Sequence, residues 1–152
     1  MAFIKVIHPE QATGKLKEIY GLVSGPRGQV DNVLQIHSLR PHTLEGHMGL
    51  YKSTLHDTRN RLTHWYTESI GVLVSRLNQC EYCDRHHTAG LRRLLRREAL
   101  EFEPYDQALS RETPGHPFTE REQAGLAYAR KLTHTPGAIE QADIDYLREQ
   151  GF

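Results

Sequence analysis

Between Thr63 and Leu77 the chain places Trp65, Ile70, Val72, Leu73, Val74 and Leu77 so closely that few positions face water. A helix over this stretch has to be covered on nearly every side, which predicts a central buried helix. The remaining periodicities are helical too. Ala12, Leu16, Ile19, Tyr20 and Val23 recur at three-and-four spacing from Glu10 to Val23, until Ser24-Gly25-Pro26-Arg27-Gly28 breaks the pattern. Asn32 is placed to cap a segment Val33 to Leu39 that stops ahead of Pro41, and Leu44, Met48, Tyr51 and Leu55 stripe a helix over Thr43 to Leu55. Cys80 to Arg97 keeps helical period through Leu91, Leu94 and Leu95. Thr119 to Thr133, with Thr119 and Glu122 in capping-box positions, and Glu140 to Gln150 complete the set. No segment alternates as a strand. The expectation is one all-α domain over residues 1–152, built around a helical hairpin.

Composition narrows the classes of function. No window approaches the roughly 20 uncharged apolar residues of a spanning helix, and Met1-Ala2-Phe3-Ile4-Lys5 lacks the long apolar stretch of a secretory signal, so the expected location is the cytoplasm, with no membrane partner. Nineteen Lys+Arg balance 19 Asp+Glu for a formal net charge of +0, which removes the electrostatic footprint of a general nucleic-acid binder. At 38% hydrophobic residues and a mean hydropathy of -0.62, apolar material is scarce enough to predict that a second copy finishes some helical faces. A homo-oligomer is expected.

The two cysteines are too few for a disulfide scaffold; a close pair in a reducing compartment is redox-active or metal-binding. On a helix, Cys80, Cys83 and His87 fall within a sector of about 60°, so their side chains converge. Asn78 as N-cap, with Glu81 three residues on, would start that helix and favour thiolate at its first turn. Glu68 lies on the apolar stripe of the preceding segment, where an unpaired carboxylate is costly. His87 is the partner a hairpin would bring to it. Carboxylate, imidazole and thiol then form a relay that activates a nucleophile, and the second cysteine traps the oxidised product as a disulfide. The alternative for the same residues is zinc held by Cys80, Cys83, His87 and one of Glu68, His64 or His86, although a structural zinc pair usually sits on a turn.

Glu68, Cys80, Cys83 and His87 match in identity and spacing the signature of the alkylhydroperoxidase D-like proteins of the carboxymuconolactone decarboxylase superfamily. Ile36-His37-Ser38-Leu39, the stretch Val72 to Asn78 and the terminal Leu147 to Phe152 resemble its peroxidase-related branch. The resemblance implies an all-helical fold, a homo-oligomer that is commonly trimeric or hexameric, and no cofactor. It also implies a hydroperoxide substrate, with Cys83 forming the sulfenic acid, Cys80 its proton donor and disulfide partner, and His87 and Glu68 the relay. A dithiol or lipoyl-carrying protein would be the reductant. Tyr82 stands where the best-studied branch has a histidine, which bears on proton delivery. Lactone decarboxylation, which needs no vicinal thiols, and a non-enzymatic zinc- or ligand-binding module are the alternatives. Elsewhere the bland readings hold: His86 as a surface residue, Tyr82 as packing, His37 as a satisfied core histidine, Arg92, Arg93, Arg96 and Arg97 as a solvated face, and Gly25 to Gly28 as a connector.

Overall fold

A computed structural model describes residues 2–152. In chain order these form α1 (Gly14–Val23), α2 (Asn32–Gln35), α3 (Pro41–Tyr51), α4 (His64–Leu77), α5 (Glu81–Arg97), α6 (Phe102–Leu109), α7 (Glu120–His134) and α8 (Gln141–Glu149), with no strand among the described residues. The fold is all-α. It comprises two compact units, Met1–Asn60 and Arg61–Phe152.

In the first unit Ala12, Leu16, Ile19, Tyr20, Val30, Leu34 and Leu44 make the core. Buried Tyr20 donates its hydroxyl to the Ile7 carbonyl (2.9 Å), and the Ile7 amide donates to buried Ser38 (2.9 Å), which ties the N-terminal stretch to both ends of that core. The helix expected from Glu10 is interrupted: Pro9–Gln11 is a single 3-10 turn, Ala12 and Thr13 are extended, and α1 begins only at Gly14, whose φ of +51° suits glycine. That break turns Ala12 into the core. The expected cap at Asn32 is also displaced by one residue, since Asp31 holds the extended N-cap position and Asn32 is already helical. α2 is short, and the residues after it continue as hydrogen-bonded turns up to Arg40, which is kept non-helical by Pro41. Pro41 itself opens α3, as a residue with no amide to satisfy can.

In the second unit α4 is the central helix, packing on α5, α6 and α7. Val72 and Leu73 are buried against Leu91 and Leu95 of α5, Leu109 of α6 and Leu126 of α7. Its polar residues are satisfied internally: buried Ser69 and Ser75 donate to the Trp65 and Gly71 carbonyls (2.9 and 2.6 Å). Tyr66 crosses to α7 and donates to the Glu122 carbonyl (2.7 Å). The capping box predicted for α7 is present, with Glu122 N–H donating to Thr119 Oγ1 (3.3 Å) and Thr119 N–H to the Glu122 carboxylate (2.8 Å). α6 has no counterpart among the helices expected from periodicity. Glu101, Glu103 and Pro104 dilute its pattern, yet Phe102, Tyr105, Ala108 and Leu109 are all buried, and Trp65, Tyr105 and Phe118 pack ring to ring beside it. Arg92, Arg93, Arg96 and Arg97 are exposed while Leu91 and Leu95 are buried, as a solvated face requires.

Candidate active site

The chain between α4 and α5 is only three residues long, and each has a defined task. Asn78 does not cap α5; it closes α4 instead, with its N–H returned to the Val74 carbonyl (3.0 Å). Gln79 follows at φ +53°, donating to the Arg76 carbonyl (3.0 Å), while Cys80 N–H donates to the Ser75 carbonyl (2.9 Å). This paired bonding around a left-handed residue is the Schellman ending of a helix. It consumes Asn78 in ending α4, so the N-cap of α5 falls two residues later. Cys80 takes that position, and its Sγ accepts the Cys83 N–H at 3.4 Å.

Cys80 therefore receives what a helix start offers an anion. The Cys83 side chain donates to it first of all, then the Cys83 and Tyr82 amides, and together they hold the Cys80 thiol below its ordinary range. Cys83 is pushed the other way, first because its proton is the one shared with Cys80 and then by burial. The local bonding thus favours the thiolate form at Cys80 over Cys83. Both cysteines are unpaired and half-buried.

One turn past Cys83, the His87 ring meets Glu68 across the helical hairpin: Nδ1 to Oε2 is 2.8 Å, with the side chains 30% and 20% exposed. With the carboxylate accepting, Nδ1–H donates and Nε2 is the ring nitrogen left for another partner. The backbone makes room for this pair in a reciprocal way. Gly71 of α4 lies against the His87 ring, where a Cβ would stand 2.5 Å from Nδ1; Gly90 of α5 lies against the Glu68 carboxylate, where a Cβ would stand 2.7 Å from Oε1. Each glycine is three residues past the member of the Glu68–His87 pair on its own helix and makes room for the one opposite. Both are mid-helix, where alanine would be favoured by about 1 kcal/mol, so helix stability does not account for them. Neither glycine stands out as a functional residue in the sequence. Their signal is the paired i, i+3 spacing, Glu68 with Gly71 and His87 with Gly90, and it becomes legible only once the two helices are known to face each other.

The other sequence candidates fall outside this pair. Exposed His86 packs its ring on Tyr82 (4.3 Å between centroids), and exposed His64 starts α4. In the first unit half-buried His37 is hydrogen-bonded to Thr43 (2.8 Å) and lies 5.1 Å from the His47 ring; burial, then His47, lower its affinity for a proton. Its neighbours Ile36 and Leu39 are exposed, so it is not the core histidine the sequence suggested. Among the described residues no group of three or more His, Cys, Asp or Glu side chains is placed to hold a metal ion, and the zinc alternative loses its ligand set. Among the described residues no helix is long and apolar enough to cross a membrane.

No protein-family model matches the chain, and no curated protein does. Its fold is similar to solved structures. One is an uncharacterized peroxidase-related protein from Silicibacter sp. TM1040, 26% identical, covering 90% of this chain and 68% of its own length with a TM-score of 0.74. Another, described as an alkylhydroperoxidase AhpD core and an uncharacterized peroxidase-related protein, comes from Ralstonia eutropha JMP134; it is 25% identical over 98% of this chain and 75% of its own, with a TM-score of 0.78.

Proposed function

We propose that this chain, a member of the alkylhydroperoxidase D-like family with the AhpD core fold, is a thiol-dependent peroxidase that reduces hydroperoxides and exchanges electrons with disulfides through the same cysteine pair. The observation that carries this reading is the 2.8 Å Glu68–His87 hydrogen bond, seated between two glycines one turn past the dithiol. Cys83 attacks the terminal peroxide oxygen. Its proton has two bases arranged for it: Cys80, to which it is already hydrogen-bonded, and His87, oriented by Glu68. The O–O bond breaks, the alkoxide leaves as the alcohol with a proton from Cys80 or His87, and Cys83 becomes the sulfenic acid. Cys80 thiolate then attacks that sulfur, closing the disulfide and expelling hydroxide, which leaves as water with a proton from solvent. A dithiol, free or on a lipoyl-type carrier, returns two electrons and two protons. The enzyme works as a homo-oligomer in the cytoplasm.

The experiment is a thiol count. One equivalent of hydroperoxide removes two thiols per chain from the wild type, and Glu68→Gln or Cys83→Ser suppresses that loss. Trapping the sulfenic acid in the single variants assigns the nucleophile: an adduct on Cys83 in Cys80→Ser supports attack by Cys83 and resolution by Cys80. Thiol loss indifferent to Glu68→Gln would dismiss the relay.

A further inference from the structure

A second charged cluster crosses from α4 to α5 at the end that carries the thiols. Arg76, in the last turn of α4, has a side chain only 24% exposed. Its Nε donates to Asp84 Oδ1 (3.2 Å), Nη2 to Asp106 Oδ1 (2.6 Å), and Nη1 to both the Asp106 carbonyl (3.2 Å) and Ser110 Oγ (2.9 Å). Asp84 is held from its own helix as well, since Thr88 Oγ1 donates to the same Oδ1 (3.0 Å).

Asp84 follows Cys83, and its N–H donates to the Cys80 carbonyl (2.9 Å), closing the first turn of α5. The chain is thus held on both sides of the dithiol: before it by the backbone bond from Gln79 N–H to the Arg76 carbonyl, after it by the Arg76 guanidinium on the carboxylate of Asp84, the residue that bonds back to Cys80. Between these points Gln79 keeps a left-handed backbone, which costs a residue with a side chain about 1 kcal/mol and persists where the surroundings impose it. The guanidinium stays charged throughout the range in which thiols titrate, so the grip holds in every protonation state of the pair.

Closing a disulfide draws the two sulfurs to about 2.05 Å, with a fixed torsion, and takes Cys80 Sγ away from its role as N-cap. A turn pinned at both ends resists that movement. We propose that Arg76 is a positioning residue of the dithiol: through Asp84, anchored by Asp106 and Ser110, it fixes the Cys80–Cys83 turn in its reduced arrangement and makes the disulfide easier to reduce. The inference rests on the peroxidase reading only in taking the cysteine pair to cycle between dithiol and disulfide. Arg76 acts through the backbone turn, not on the peroxide.

The test poises the full-length protein in dithiothreitol buffers of graded reduced-to-oxidised ratio, with no hydroperoxide, and counts thiols. Arg76→Gln and Asp84→Asn are each expected to shift the equilibrium toward the disulfide by roughly tenfold, about 30 mV. The double variant shifts it no further, because the two share one contact, and Arg76→Lys restores part of the wild-type value. An equilibrium that stays at the wild-type value, or moves toward the dithiol, while the urea midpoint falls would reduce Arg76 to a structural ion pair and overturn the inference. Should Arg76→Gln fail to fold, Asp84→Asn, which removes only the Asp84 arm, decides alone. The two readings fail separately: a shifted equilibrium in a protein that turns over no hydroperoxide ends the peroxidase and keeps the clamp, and turnover with an unmoved equilibrium does the reverse.

Discussion

Two polar pairs cross the α4–α5 interface, and by length and burial they are close to matched. Glu68–His87 spans 2.8 Å with side chains 20% and 30% exposed; Arg76–Asp84 spans 3.2 Å with 24% and 33%. The basic group separates them. In one pair it is an imidazole, which has two distinct ring nitrogens; in the other it is a guanidinium, which only donates and keeps its charge. The surroundings differ in the same sense. Two glycines hollow out space for Glu68 and His87, while Arg76 is wrapped by four acceptor contacts. Similar geometry thus sits in two different surroundings, one pair packed against glycines and the other inside a network of acceptors.

The sharpest way to separate the pairs is His87→Ala. Removing a positioned general base is expected to lower hydroperoxide turnover by about 10²–10⁴-fold, while the dithiol–disulfide equilibrium stays where Arg76 sets it. Parallel losses in both assays would erase the distinction. Next in size is Gly71→Ala, whose Cβ would sit 2.5 Å from His87 Nδ1 and force the ring aside. A misplacement of that order lowers turnover by about 10²-fold at most, and steady-state kinetics beside a urea midpoint would show activity falling without a matching loss of stability.

The pH dependence of Cys80 alkylation sharpens the comparison from the sulfur side. Cys80 is held below its ordinary value chiefly by the Cys83 side chain, so wild-type alkylation should inflect at lower pH than that of an unperturbed cysteine. In Cys83→Ala, with that donor gone, the inflection moves up; an unchanged profile would mean that the backbone amides alone set it. The smallest effect concerns α5, which ends as α4 does: Leu100 N–H donates to the Leu95 carbonyl (2.9 Å), Ala99 N–H to the Arg96 carbonyl (3.2 Å), and Ala99 has φ +55°. Glycine at Ala99 relieves up to about 1 kcal/mol, raising the urea midpoint and leaving the redox equilibrium alone. The same change at Gln79 gives similar relief but moves that equilibrium, because there the turn presents Cys80.

Much of this is readable from local pattern. The apolar density of Thr63 to Leu77, the Thr119/Glu122 box and the Glu68, Cys80, Cys83, His87 spacing are properties of residues close along the chain, and local spacing reports those directly. α6 is hidden because unhelpful residues around its first turn mask a core face that only Trp65 and Phe118 complete. Asn78 is ambiguous because a short polar side chain suits the end of one helix as well as the start of the next, and three residues of connection decide which.

What the sequence determined by itself is therefore the helical class and the set of groups able to do thiol chemistry. Why Gly71 and Gly90 are glycines, and that Arg76 reaches Asp84, were decided by the packing of α4 against α5. These depend on distances between residues on different helices. Such distances follow from how whole helical faces meet, and no periodicity within one helix encodes them.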